Sequence, residues 1–179
     1  MLLNEQSLLL IVDMQGKMAA MMHEYDFLFA QIQKITRVTQ ILNIPVLFTE
    51  QAPDKIGQTV PEITWLLNNQ KPFPKKSFSC WLCPEFVSAL KQSGRRQIIV
   101  TGIESHVCIY QTVRELLKEK YEVHVVIDAV SSRTAANRQL GINRCQEEGA
   151  VLTSFEMVIC EWLQTAEHPK FREVLSLMK

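Results

Sequence analysis

Cys108 stands in the segment Gly102-Ile103-Glu104-Ser105-His106-Val107-Cys108-Ile109, where a buried apolar run gives way to a helical pattern. A thiol at a strand-to-helix turn is a candidate nucleophile, because the unpaired N–H groups and positive dipole end of a helix favour thiolate over thiol. Taken alone, such a cysteine reads first as a small buried apolar side chain. Its companions change that reading. Asp13 follows five consecutive apolar residues, Leu8-Leu9-Leu10-Ile11-Val12. A carboxylate at the end of a buried run needs a cation or several donors to stay charged. Lys75 or Lys76, just before Ser77-Phe78-Ser79, offers the cation.

Other polar residues also follow apolar runs: Glu50 and Gln51 after Phe48-Thr49, Glu104 after Gly102-Ile103, and Asp128 after Ile127. Asp128 precedes Ala129-Val130-Ser131-Ser132 and reads as the cap of a turn or helix. The pair Cys80-Trp81-Leu82-Cys83 spells C-x-x-C, but no second pair or suitably spaced histidine completes four metal ligands, and Pro84 reads as the first residue of a helix rather than part of a redox turn. His124 lies in an apolar run and reads as structural, whereas His106, two residues before Cys108, reads as packing beside the site. Gln15, Gln51, Phe78 and Trp81 are candidates to line a substrate pocket, with Trp65 a further aromatic.

The elements that must position these groups follow from periodicity. Runs at Leu8–Val12, Val46–Phe48, Ile98–Val100, Val123–Ile127 and Val151–Leu152 are apolar on both faces, as central parallel strands are. Leu28, Ile32, Ile35, Val38 and Leu42 fall at helical spacing between the first two, ended by Asn43 and Pro45. Further helices are expected over 61–69, 84–93, 107–119, 135–148 and 154–163, and irregular segments over 50–61 and 71–76. This alternation predicts an α/β fold, an open parallel sheet with helices on both faces, in one domain over 1–179, with about 164–179 as a C-terminal appendage. In such sheets ligands bind beyond the carboxyl ends of the strands, where the polar residues above collect.

Composition narrows the function classes. The 179 residues are 47% hydrophobic and 21% charged, with 19 basic against 19 acidic side chains. That balance carries no electrostatic footprint for nucleic acid or an anionic membrane, and favours a small-molecule substrate. The first apolar run is too short and lacks the basic flank of a signal or membrane segment, so a cytoplasmic location is expected, with all 5 cysteines as thiols.

Leu10-Ile11-Val12-Asp13-Met14-Gln15, the lysine before Ser77-Phe78-Ser79, and Gly102 through Thr112 resemble, in order and separation, the three motifs of the isochorismatase-like cysteine hydrolase superfamily. Pro45 through Gln51, Thr59-Val60-Pro61-Glu62 and His168-Pro169-Lys170-Phe171 are similar to the branch of isochorismatase domain-containing proteins, so the resemblance covers essentially the whole chain. It implies a Rossmann-like α/β/α fold with a six-stranded parallel sheet and an Asp-Lys-Cys triad, carried here by Asp13, Cys108 and a lysine. Members place the lysine four residues before the serine corresponding to Ser79, which selects Lys75 over Lys76. The resemblance further implies a cis peptide at Ile103–Glu104, an oxyanion hole from the backbone amides of Glu104 and Cys108, and hydrolysis of a C–N bond through a Cys108 thioester. Isochorismatases proper cleave a vinyl ether and can lack this cysteine. Nicotinamidases in the superfamily bind a metal through histidines after the second strand, where this chain has Glu50-Gln51-Ala52-Pro53-Asp54-Lys55. No metal and no cofactor are therefore expected, and a homo-oligomer is. The alternative is a catalytically weak member acting as a binding protein.

Overall fold

The run Leu8–Val12 forms most of β1 (Ser7–Val12), an inner strand buried along its whole length. It belongs to a six-stranded sheet ordered β3-β2-β1-β4-β5-β6, with every neighbouring pair parallel. The other strands are β2 (Val46–Gln51), β3 (Phe73–Lys75), β4 (Gln97–Ile103), β5 (Glu122–Ser131) and β6 (Val151–Thr153). The computed structural model describes residues 1–67 and 70–178.

Successive strand residues point to opposite faces, so each apolar run serves two cores. Leu9, Ile11, Phe48 and Ile99 pack with α2 (Tyr25–Leu42) and α8 (Phe155–Leu163) on one side. Leu8, Leu10, Val12, Ile98 and Val100 pack with α5 (Pro84–Gln92), α6 (Tyr110–Lys118) and α7 (Ala135–Glu147) on the other. Short helices α1 (Gly16–Ala20), α3 (Pro53–Ile56), α4 (Pro61–Thr64) and α9 (Phe171–Leu175) complete the chain. Asn43 ends α2 in the left-handed conformation, a role asparagine tolerates. In the C-terminal segment, Val174 of α9 is buried in the core that α2 lines.

Several expected boundaries move. The segment 71–76 contains an edge strand, β3, because its backbone pairs with Thr49–Gln51, and an edge position tolerates its proline. Glu50 and Gln51 belong to β2 rather than to a loop, and the remainder of that loop includes the one-turn helix α3. The helix expected over 61–69 stops at Thr64, and its last two residues lie outside the described residues. The 107–119 helix starts earlier, as a π-helical turn over Ser105–Ile109 that runs into α6. Asp128 does not end a strand. It lies where β5 bulges, the register jumping from Val100–Val125 to Gly102–Val130, and its Oδ1 accepts the Phe155 N–H at the start of α8.

The chain leaves β1 toward β2 and β3, then crosses back to β4 on the other side of β1. A crevice at the carboxyl ends of β1 and β4 is the ligand position that this reversal creates. Among the described residues no helix is long and apolar enough to cross a membrane.

Candidate active site

Three adjacent strands each deliver one group to that crevice. Asp13 follows β1 in a left-handed conformation, φ 52°, and is fully buried. Its Oδ1 accepts the Thr49 hydroxyl of β2 at 2.7 Å, and its Oδ2 accepts Lys75 Nζ of β3 at 2.7 Å. The ammonium also donates to Gln51 Oε1 at 2.8 Å and to the Ser77 carbonyl at 3.3 Å. Strand alternation turns Lys75 inward and leaves Lys76 exposed. Burial by itself lowers the Lys75 pKa, but the Asp13 carboxylate outweighs it and holds the ammonium above its ordinary value.

Cys108 comes from the far side of β1. The Ile103–Glu104 peptide that ends β4 is cis, and the π-helical turn carrying the thiol begins at Ser105. Gly102, at φ 112°, sits in register with Val12, and a Cβ there would lie 2.1 Å from the Val12 carbonyl oxygen. The turn is fastened from the α7 side. Ser105 Oγ lies 2.7 Å from Ser132 Oγ and donates to the carbonyls of Asn137 and Arg138, while His106 Nδ1 lies 2.9 Å from Ser132 Oγ. Gly141 lets α7 approach so closely that a Cβ would stand 2.4 Å from the Ser105 carbonyl carbon.

The Cys108 thiol is pushed well above the usual thiol range, first by burial and then by the charge of Asp13, with Lys75 opposing. The thiolate-favouring influence expected at a helix end is outweighed here by burial and Asp13. The resting site is a thiol beside an ion pair. Adding a thiolate would leave a buried net negative charge, whereas moving the Cys108 proton to Asp13 leaves the site's net charge unchanged.

The isochorismatase domain model matches residues 7–157. The chain belongs to this family of hydrolases. It is 37% identical over 173 residues to isochorismatase domain-containing protein 2 of Danio rerio, covering 96% of this chain and 86% of that protein. A solved structure described as MAR1 ribonuclease from Caenorhabditis elegans is 35% identical, covers 99% of this chain and 91% of its own, and superposes with a TM-score of 0.92. The Escherichia coli YcaC gene product, described as an octameric hydrolase of unknown specificity, shares the fold with a TM-score of 0.88 at 22% identity, covering 98% of this chain and 94% of its own.

The remaining expected residues divide, and the cavity that some of them line includes Lys75 but neither Asp13 nor Cys108. Gln51, Phe78, Lys75 and Lys76 line a cavity of about 770 Å³ together with Pro53 and Pro74. Glu104 directs its carboxylate to Arg133, in a two-point ion pair at 3.0 and 3.2 Å. Two pocket assignments are corrected. Gln15 has no exposed surface and instead holds the β2 end, accepting the Gln51 N–H at 2.6 Å and donating to the carbonyls of Gln51 and Gly57. Trp81 packs edge-on against Tyr121 and under Lys91, turned to the α5 side rather than to the cavity. Trp65 is exposed.

Cys80 and Cys83 are free, buried thiols. His124 bonds Glu122 at 2.7 Å. Among the described residues no group of three or more His, Cys, Asp or Glu side chains is placed to hold a metal ion. Thr49, Ser132, Arg133 and Gly141 were not singled out by the sequence. Only Gly141 carried a signal, as a glycine inside a helical pattern, where it costs about 1 kcal/mol unless a close approach requires it.

Proposed function

We propose that this chain is a cysteine hydrolase that cleaves the C–N bond of a small amide-like substrate through a thioester on Cys108. The fully buried Asp13 carboxylate, held by Lys75 on one oxygen at 2.7 Å and near enough for its charge to raise the pKa of the Cys108 thiol, is the observation that carries this reading. Asp13 takes the thiol proton as sulfur attacks the carbonyl carbon, and the C=O electron pair moves to oxygen. The backbone amides of Glu104 and Cys108 receive that oxyanion. As it collapses the C–N bond breaks, Asp13 protonates the leaving nitrogen, and an amine departs from the thioester. Asp13 then takes a proton from water, hydroxide adds to the thioester, and the departing sulfur recovers its proton as the acid leaves.

Incubation with a small-amide panel and an aldehyde inhibitor, read by intact mass, is expected to place an adduct on Cys108. Cys108→Ala should lack the adduct and lose hydrolysis by on the order of 10⁴-fold or more. RNA belongs in the same panel, since the Caenorhabditis elegans relative is described as a ribonuclease. RNA cleavage that survives Cys108→Ala, with no amide turned over, would sink the thioester reading. We carry a homo-oligomer in the same proposal. The octamer described for the Escherichia coli relative supports it, and light scattering on the eluting protein checks it.

A further inference from the structure

Thr49 has one proton to give, and the charged Asp13 carboxylate 2.7 Å from its Oγ1 claims it. The Cys80 sulfur lies 3.7 Å from the same oxygen, so the thiol must be the donor there. Asp13, Thr49 and Cys80 are all buried, at 0%, 1% and 0% exposure, so no bulk water substitutes for any of them. Cys80 is itself fixed, its N–H donating to Thr112 Oγ1 at 2.9 Å at the start of the 3₁₀ turn Cys80–Leu82. Burial and then Asp13 push this thiol up to about 11, which keeps the S–H donor in place at neutral pH.

We propose that Thr49 and Cys80 form a two-position relay that orients Asp13 and sets its basicity, with Cys80 a positioning residue rather than spare core. The proposal rests on Asp13 acting as base and then acid. With Asp13 charged, the chain runs from the Cys80 S–H to the Thr49 oxygen and from the Thr49 O–H to Oδ1. With the proton on Oδ1, Thr49 turns, accepts from Asp13 and donates to the Cys80 sulfur, whose S–H swings away. No proton leaves the relay. Only the direction of two donors reverses, while Lys75 stays on Oδ2 in both states.

Thr49 donates to a charge in the first state and to a weak sulfur acceptor in the second, so the relay favours the carboxylate. The other titratable groups acting on Asp13 are Lys75 on β3 and Cys108 in the π-helical turn. Glu50, beside Thr49 on β2, spends its Oε1 on the Thr59 N–H and hydroxyl.

The test is the pH profile of Cys108 alkylation by iodoacetamide on the intact chain, followed by peptide mapping, with the exposed Cys160 as reference thiol. With Asp13 as acceptor of the Cys108 proton, the acid limb of that profile follows loss of the acceptor. Thr49→Val is expected to raise the midpoint of that limb by about one pH unit. Cys80→Ala should move it the same way by less, and Cys80→Ser and Thr49→Ser should return it toward wild type. A merely structural role would lower the melting temperature without moving the midpoint. Should Thr49→Val not fold, the Cys80→Ala and Cys80→Ser pair carries the same comparison. Unmoved midpoints in folded variants, with the limb lost in Asp13→Asn, overturn the relay alone. A limb that persists in Asp13→Asn overturns the reading of Asp13 as base, and the relay with it.

Discussion

Lys75→Met is expected to destabilise the folded chain by about 3–5 kcal/mol, a larger loss than trimming an ordinary core side chain of similar length. The change removes one half of an ion pair whose two side chains are both fully buried. Asp13 is then left in the interior with the Thr49 hydroxyl still donating to it, and an uncompensated buried charge is among the most expensive groups a fold can hold. Asp13→Asn should cost a similar amount by stranding the ammonium. The double variant Asp13→Asn, Lys75→Met removes both charges and should lie closer to wild type than either single variant. Urea unfolding with an unchanged slope reads these differences, and a thermal scan should fall by roughly 6–20 °C for each single variant. Single variants near wild-type stability, with an additive double, would show that the pair is not coupled.

Gly102→Ala is expected to be severely destabilising. The new Cβ would meet the Val12 oxygen at 2.1 Å, its nitrogen at 2.6 Å and its carbonyl carbon at 2.8 Å, all backbone atoms that no rotamer change can remove. Relief requires β1 and β4 to separate at the rung where they carry Asp13 and Cys108 toward one another. A loss above about 4 kcal/mol, or no folded protein, is expected. Gly149→Ala is the control. It shares the positive φ, 107° against 112°, but its Cβ meets nothing within 4 Å. It should lose only the backbone strain of roughly 1–2 kcal/mol. Equal losses at the two glycines would remove close strand approach as the cause at Gly102.

Five of the six strands were legible because they contain apolar runs, and α2 because its apolar residues repeat at helical spacing. β3 was not, since Phe73-Pro74-Lys75 is not an apolar run and becomes a strand only by pairing with Thr49–Gln51. Asp13 and Cys108 stood out by place, at the ends of buried runs. The choice between Lys75 and Lys76 is an alternation question, so the residues alone left it open until the strand existed, and only the family resemblance pointed to Lys75. Gln15 and Trp81 misled because nearness along the chain fixes neither side-chain direction nor face. Thr49 gave no warning, a threonine in a strand being ordinary, and its importance lies in the atoms it meets from two other segments.

β3 has a further consequence for how this protein loses competence. The strand carrying Lys75 is three residues long and lies at the sheet edge, paired on one side only. Edge segments with few ladder bonds open at lower free energy than the interior strands beside them. Each such opening withdraws the ammonium from Asp13 while β1, β4 and the turn carrying Cys108 remain intact. Catalytic inactivation should therefore precede global denaturation, with activity failing at urea concentrations where the circular dichroism of the helices is still native.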